Sequence, residues 1–193
     1  IVNGLVGSEM CIRDSPHAII DNFLPQELYD RIKTNMETYP GGLSGIPETV
    51  EIRNHFGNEL EKIRNTLLEK VPNASAKEMT PNDYIIWANR QYPHAEYKNH
   101  NDSPWKRLST VLYVGKFNQG TVFHESSDPK ARIVGNVEWK ENRAMSFVPS
   151  TSSHHSYANK RKHFRDTVLI NMGSVKDIKR EKNSKPFSTI LNK

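Results

Sequence analysis

The pattern of hydrophobic and polar positions first predicts one strand and one amphipathic helix. HAIIDNF at residues 17–23 is typical of a short strand. After it, apolar residues recur at the spacing of a helix face, at Leu24, Leu28, Ile32, Met36 and Tyr39. Pro25 suits the first turn of this helix, and the run Pro40-Gly41-Gly42 predicts its end.

A second helix and then a series of strands follow. Residues 41–50 are expected to form a loop, and a helix is predicted from about Asn54 to Lys70, with an apolar stripe of Phe56, Leu60, Ile63 and Leu67. From Asp83 onward the pattern alternates with period two, which predicts strands: DYIIWANRQY, LSTVLYV, GTVFHES, ARIVGNVEW, RAMSFVP and DTVLINM. Two helices followed by six short strands favour a mostly β protein with flanking helices, whose strands form an antiparallel double-sheet barrel.

Length and composition bound the class of protein. A chain of 193 residues fits one domain, and 35% hydrophobic with 25% charged residues is typical of a soluble globular protein without a membrane-spanning run. The single cysteine, Cys11, excludes a disulfide framework and a thiolate zinc site. A reducing, cytoplasmic location is therefore expected.

The two ends of the chain are expected to lie outside a folded domain of residues 16–173. The stretch VGSEMCIRDS resembles a translated sequencing adapter, so residues 1–15 are interpreted as a non-native or disordered leader. Residues 174–193 form a basic C-terminal tail, with six basic residues against two acidic ones. A basic end is more often solvated than functional, so nucleic-acid binding is not expected beyond a weak contact by the tail.

His100 and Asp102 are the first candidates for chemistry. They stand two residues apart just before the strand LSTVLYV, and side chains at i and i+2 of an extended segment point to the same side. An imidazole and a carboxylate in this arrangement could both reach one metal ion. Such a pair also arises by chance, so a metal site requires a third ligand on another strand.

The segment RAMSFVPSTSSHHSYANKRKHFRDTVLINM offers a third ligand and a buried cation. It contains His154 and His155, and if the backbone is extended there, only one of the two can point into the barrel. Arg165 and Thr167 follow, again at i and i+2. A buried arginine requires an anionic partner, because an unpaired buried charge is costly.

Together these residues resemble the iron(II)- and 2-oxoglutarate-dependent oxygenases, in particular their prolyl-4-hydroxylase-like branch. The shared order is His-x-Asp, Gly-Thr about twenty residues later, a distal His, and Arg-x-Thr about ten residues after that. IIDNFLPQELYDRI is similar to the strand and helix that open this branch, and YPHAEYKNHND resembles its tyrosine-bearing approach to the metal. The resemblance covers residues 17–172 and implies a double-stranded β-helix, or jelly-roll, barrel preceded by two amphipathic helices.

The resemblance implies a dioxygenase that hydroxylates its substrate and releases succinate and carbon dioxide. Iron(II) would be held by His100, Asp102 and His155, a set of two imidazoles and one carboxylate that leaves three positions for 2-oxoglutarate and dioxygen. Because Asp102 is present, hydroxylation is favoured over halogenation. His155 is preferred to its neighbour His154 because it lies ten residues before Arg165, which is nearer the spacing in the branch.

The resemblance also assigns the residues that would bind 2-oxoglutarate. Arg165 would pair with its distal carboxylate, since a guanidinium fork matches a carboxylate. Thr167 and Tyr92 would add hydroxyl hydrogen bonds.

Other functions and several substrates stay open. A non-catalytic jelly-roll or cupin-like binding module would keep the barrel, but would have no need for the four polar residues together. A cupin-type enzyme would use more histidines and no arginine for a cosubstrate. Peptidyl proline, a free amino acid, a nucleic-acid base and a small metabolite all fit the sequence as substrates.

Overall fold

Two antiparallel sheets and two helices make up the part of the chain that the structure describes. The structure is a computed structural model, and it describes residues 9–11, 17–39, 41–69, 84–103 and 105–173. In chain order the elements are β1 (Glu9–Cys11), β2 (His17–Ile20), α1 (Gln26–Thr38), β3 (Gly42–Ser44), α2 (Thr49–Leu68), β4 (Tyr84–Gln91), β5 (Glu96–His100), β6 (Lys106–Val114), β7 (Thr121–His124), β8 (Ile133–Val137), β9 (Ala144–Phe147), β10 (His155–Ala158) and β11 (Arg165–Gly173).

The strands divide into a large and a small sheet. The large sheet has seven strands in the order β1-β2-β9-β6-β11-β4-β3, and the small sheet has four in the order β5-β10-β7-β8. Every recorded strand pair is antiparallel. The long interior strand β11 pairs with β4 on one side and with β6 on the other, and it carries Arg165 at its first position.

Side-chain alternation sends the two faces of the large sheet to different layers. On β6, Leu108, Leu112 and Val114 pack in the cluster that contains both helices. Tyr113 points the other way and packs with Phe123 and Val137 of the small sheet. The molecule is therefore layered, with the helices, the large sheet and the small sheet in that order. Alternate side chains of the large sheet are buried on opposite faces, so each face needs a layer packed against it.

The two helices cover the outer face of the large sheet with the apolar stripes that the sequence predicts. Leu28, Tyr29, Ile32 and Met36 of α1 are buried. Ile52, Phe56, Leu60, Ile63 and Leu67 of α2 are buried at the same helical spacing. In the described part of the chain, neither helix is both long and apolar enough to cross a membrane.

The predicted mostly β architecture with two preceding helices is confirmed, but several local predictions were wrong. The second helix starts at Thr49 instead of Asn54, because Ile52 continues its apolar stripe one turn further back. Residues 41–50 were predicted to form a loop, yet they contain β3 and the first residues of α2. Strands β5 and β10 were not predicted, since EYKNH and HSYA show no clear alternation.

The predictions about the chain ends lie mostly outside the described residues. Within the predicted leader of residues 1–15, Glu9–Cys11 form the short strand β1 beside β2. The remainder of the leader and the basic tail at residues 174–193 are not among the residues that the structure describes.

Candidate metal centre

The structure brings His100, Asp102 and His155 together between the two sheets. His100 ends β5, His155 begins β10, and the two residues are direct partners in the antiparallel register of the small sheet. Asp102 follows His100 in the connection to β6. One ligand atom from each of the three residues lies within 4.8 Å of the others. Strand pairing thus brings His155 beside His100 and Asp102, although it lies more than 50 residues later in the sequence.

Both imidazoles are held with one nitrogen turned to a backbone carbonyl and the other left for a ligand. Nδ1 of His100 donates to the carbonyl oxygen of Lys98 at 2.9 Å, and Nδ1 of His155 donates to that of Ser153 at 2.8 Å. Burial lowers the pKa of His100 and lowers that of His155 to about 4. Both rings are therefore neutral near pH 7, with Nε2 carrying a lone pair, which is the form that binds metal ions.

The Asp102 carboxylate is oriented by a lysine and a serine. The ammonium of Lys106 lies 2.6 Å from Oδ1, and the Ser109 hydroxyl donates to Oδ2. Burial by itself would raise the pKa of Asp102, but Lys106, His155 and Ser109 outweigh it and keep the pKa below its usual value. The carboxylate is thus ionised and fixed, as a metal ligand needs to be.

Arg165 lies in the same cavity as the three candidate ligands. It is a buried cation, and it has no carboxylate partner among the described residues. Its side chain is 1% exposed. Nε donates to the carbonyl oxygen of Gln119 at 3.2 Å, and the guanidinium carbon lies 4.0 Å from the ring centre of Tyr157. Within the described part of the chain, Nη2 has no hydrogen-bond partner. Burial lowers the pKa of Arg165, although the guanidinium stays charged at neutral pH. An unpaired donor of this kind is a position for an anion.

A cavity of about 360 Å³ contains the three candidate ligands and Arg165. Its volume lies within the range of small-molecule sites. Its wall includes apolar side chains and amide side chains, among them Val111, Met145, Phe147, Leu169, Asn89, Gln91 and Asn171. The cavity therefore has the volume of a small-molecule site and is lined by both the candidate ligands and a buried cation.

The other sequence-predicted site residues occupy less central places. Thr167 is fully buried on the same face of β11 as Arg165, and its hydroxyl donates to the carbonyl oxygen of Asn89 at 3.4 Å. Tyr92 lines the cavity but is 58% exposed, so it stands at the rim. His154 lies outside the group of three ligands, and its carbonyl oxygen accepts a hydrogen bond from the backbone of His124.

Four residues near the site were not singled out from the sequence. Lys106 and Ser109 contact Asp102, while Tyr157 stacks on Arg165 and accepts a hydrogen bond from Gln91. Tyr157 stands two residues after His155, so period two on β10 was a usable signal. Lys106, Ser109 and Gln91 come close to the site through strand pairing and turn geometry. These leave no pattern in the local sequence.

Comparisons with known proteins show likeness in fold. No protein-family model matches the chain, and no curated protein matches it by sequence. Solved structures do match. A prolyl-4-hydroxylase from Pseudomonas putida is 15% identical, with a TM-score of 0.54, over 83% of this chain and 94% of that one.

Two further structures agree with the first. The collagen prolyl hydroxylase of Paramecium Bursaria Chlorella virus-1, solved as a 2-oxoglutarate complex, is 14% identical, with a TM-score of 0.53, over 82% of this chain and 96% of that one. A prolyl hydroxylase from Trichoplax adhaerens, solved with a peptide fragment of the hypoxia inducible factor, is 12% identical, with a TM-score of 0.54, over 83% and 84%. The chain therefore has the fold of the 2-oxoglutarate oxygenases that the sequence resembles.

Proposed function

We propose that this protein is an iron(II)- and 2-oxoglutarate-dependent dioxygenase that hydroxylates its substrate with release of succinate and carbon dioxide. Its two facing sheets would be the double-stranded β-helix barrel of that class. The observation that carries the proposal is that Nη2 of Arg165, in the same cavity as the three candidate ligands, has no hydrogen-bond partner among the described residues. A structural arginine would have a carboxylate beside it, because a buried charge without one is destabilising.

The three ligands suit iron(II) in chemistry and in protonation state. His100 and His155 would each bind through Nε2, and Asp102 through a carboxylate oxygen, which is the two-histidine, one-carboxylate set of non-heme iron oxygenases. Iron(II), when bound, supplies the activation of dioxygen. The backbone carbonyls of Lys98 and Ser153 keep both rings in the tautomer that exposes Nε2.

Arg165 would bind the distal carboxylate of 2-oxoglutarate. Its free Nη2 supplies a donor for one carboxylate oxygen, and the surrounding rings of Tyr157, Trp139 and Tyr113 exclude water and hold the guanidinium plane. In a water-poor site a charge-assisted hydrogen bond is stronger than at the surface. The roles of Thr167 and Tyr92 as hydroxyl donors to the same molecule stay predictions.

The substrate is proposed to be a small molecule or a peptide that reaches the cavity past the rim at Tyr92. One structural neighbour was solved with a peptide fragment, which supports a peptide as one of these classes. The folded domain is proposed to be residues 16–173, and its location is proposed to be cytoplasmic.

An anaerobic titration with iron(II) followed by 2-oxoglutarate tests the proposal. Chelation of iron(II) by the keto acid produces a visible charge-transfer band, and admission of oxygen then yields succinate. We expect both signals from the wild-type protein. A non-catalytic binding module, the alternative function, would give neither the band nor succinate.

The adjacent histidines provide a matched pair of variants. His155→Ala removes a candidate ligand and is expected to abolish the band and succinate formation. His154→Ala changes the neighbouring imidazole, which lies outside the ligand group, and is expected to keep most of both. A loss in the His154 variant alone would move the ligand by one residue. Full signals from both variants would refute the metal centre.

A further inference from the structure

Three loops at one end of the sheets form a continuous surface beside the cavity. They comprise residues 92–95, 115–120 and 159–164, called here the three-loop surface. Asn159 ties them together, since its Nδ2 donates to the carbonyl oxygen of Tyr92 at 3.0 Å while its Oδ1 accepts from Nδ2 of Asn118 at 3.0 Å. Asn118 and Asn159 are both 1% exposed. Buried amide hydrogen bonds of this kind hold the loops in fixed relative positions.

The three-loop surface carries positive charge without acidic residues. Lys116, Lys160, Arg161 and Lys162 are exposed, and the three segments contain no Asp or Glu. Among the described residues, none of these four side chains forms an ion pair with a carboxylate. By contrast, three basic side chains on the helices pair with acids: Arg31 with Glu51, Lys33 with Glu141, and Lys62 with Glu59. The three-loop surface therefore carries four exposed cations and no acidic residue of its own.

Aromatic rings are interleaved with the charges. Phe117 is 60% exposed, and the guanidinium carbon of Arg161 lies 4.8 Å from its ring centre. Tyr92 is 58% exposed, and its ring lies 5.4 Å from that of Phe164, centre to centre. Exposed apolar groups that form a patch rimmed by polar residues mark interaction sites. Rings beside cations are the platform on which unpaired nucleic-acid bases stack.

We infer that the three-loop surface binds a single-stranded nucleic acid. The phosphates would pair with Lys160, Arg161 and Lys162, and a base would stack on Phe117. A duplex would keep its bases stacked on each other and leave this ring unused, so a single strand fits better. The inference goes beyond the proposed oxygenase function and does not depend on a bound metal. The sequence alone led us to expect no nucleic-acid contact beyond a weak one by the C-terminal tail, and the inference differs from that expectation.

The position of the surface connects it to the cavity. Tyr92 belongs to the three-loop surface and also lines the cavity wall. Tyr97, which is 45% exposed and stacked on Tyr157 at 5.5 Å between ring centres, continues the aromatic border of the cavity. A strand held on the three loops would therefore pass the cavity rim.

Binding of a fluorescent twelve-residue oligothymidylate, followed by anisotropy at several salt concentrations, tests the inference. The variant Lys160→Gln/Arg161→Gln/Lys162→Gln should weaken binding about 100-fold at 0.1 M salt and reduce the salt slope by about 2, since each phosphate contact on a single strand contributes about 0.7 to that slope. The control Arg31→Gln/Lys33→Gln/Lys62→Gln removes the same charge from the helices and should bind as the wild type does. Circular dichroism checks that both variants are folded.

A second variant separates stacking from charge. Phe117→Ala should weaken binding about 5-fold or more with an unchanged salt slope, and Phe117→Trp should restore it. Equal binding by the two triple variants would overturn the inference, because the site would then lie elsewhere, as in the tail. Binding that does not rise above background at low salt would overturn it as well. Equal competition by polyglutamate would show an acidic-peptide surface, and equal affinity for duplex would refute the single-stranded part.

Discussion

Replacing Arg165 with methionine is expected to weaken 2-oxoglutarate binding far more than it weakens the fold. A hydrogen bond to a charged group contributes about 1.5 to 3 kcal/mol, and Arg165 has a free Nη2 for such a bond. Since 1.4 kcal/mol is a factor of ten, the dissociation constant for 2-oxoglutarate should rise about 10- to 150-fold. Metal affinity should change little, because the candidate metal ligands are other residues.

The effect on stability follows from the fact that Arg165 has no carboxylate partner among the residues that the structure describes. Methionine removes an unpaired buried charge, which by itself stabilises the ligand-free protein by about 1 to 4 kcal/mol. It also removes the cation–π contact with Tyr157 at 4.0 Å, a loss of about 2 kcal/mol, and one hydrogen bond to Gln119, a loss of about 1 kcal/mol. These contributions oppose one another, so the free energy of unfolding should change by less than about 2 kcal/mol.

Isothermal titration of 2-oxoglutarate into the Mn(II)-loaded protein gives the affinity, and urea unfolding of the ligand-free protein gives the stability. Arg143→Met is the matched control, because Nε of Arg143 lies 2.6 Å from Oδ1 of Asp21 in a structural ion pair. That pair, with Lys140, lowers the pKa of Asp21 to about 2. The control should lose about 1 to 3 kcal/mol of stability and keep its 2-oxoglutarate affinity.

The opposite pattern would refute the assignment of Arg165. If Arg165→Met bound 2-oxoglutarate as tightly as the wild type, the guanidinium would have no role in the cosubstrate site. A loss of about 3 to 5 kcal/mol of stability, as when a buried ion pair is broken, would mark the residue as structural. Arg165→Lys should show an intermediate affinity, since it keeps the charge without the planar fork.

Three further predictions concern single positions. Ser109→Ala should lower Mn(II) affinity about 10- to 100-fold in a calorimetric titration, because it removes a donor that orients Asp102, and an unchanged affinity would contradict that role. Burial raises the pKa of Asp166 from 3.8 to about 6, so between these values the folded state binds more protons than the unfolded state and the wild type loses stability as pH rises. The Asp166→Asn variant has no carboxyl group to titrate, so it lacks this loss. In urea unfolding, the free energy of unfolding of the variant minus that of the wild type should increase by about 1 to 3 kcal/mol between pH 4 and pH 7. A difference that does not change with pH would exclude the raised pKa. Gly120→Ala should destabilise the protein by about 1 to 3 kcal/mol or more, since its Cβ would lie 1.7 Å from the carbonyl oxygen of Val137, and a wild-type melting temperature would show that the close approach is absent.

Local sequence patterns predicted the elements whose burial is periodic. The alternation in LSTVLYV predicted β6, and in the structure Leu108 and Leu112 face the helices while Tyr113 faces the small sheet. The helical spacing of Phe56, Leu60, Ile63 and Leu67 likewise predicted α2, although its start was missed. Periodicity is readable because a single element facing a core must place apolar residues at its own repeat.

The strands that border the cavity were not predicted from the pattern of hydrophobic positions. Strand β5, with the sequence EYKNH, has no apolar alternation because its inner face meets polar groups and a cavity instead of a packed core. Strand β10, with the sequence HSYA, lies between β5 and β7 and is defined by hydrogen bonds to both. Their strand conformation depends on neighbours that are distant in sequence, which no local pattern records.

Some features of the candidate site were likewise predictable from the sequence, and others depended on the tertiary structure. The sequence by itself determined that His100 and Asp102 share a side and that one of two later histidines could join them, since period two and residue chemistry suffice for that. Only the tertiary structure decided that His155 is the partner of His100 in the strand register, and that Nη2 of Arg165 has no hydrogen-bond partner among the described residues. The alignment of strands far apart in sequence and the set of side chains around a buried arginine are properties of the packed chain, because they depend on which residues are absent from a neighbourhood as well as on which are present.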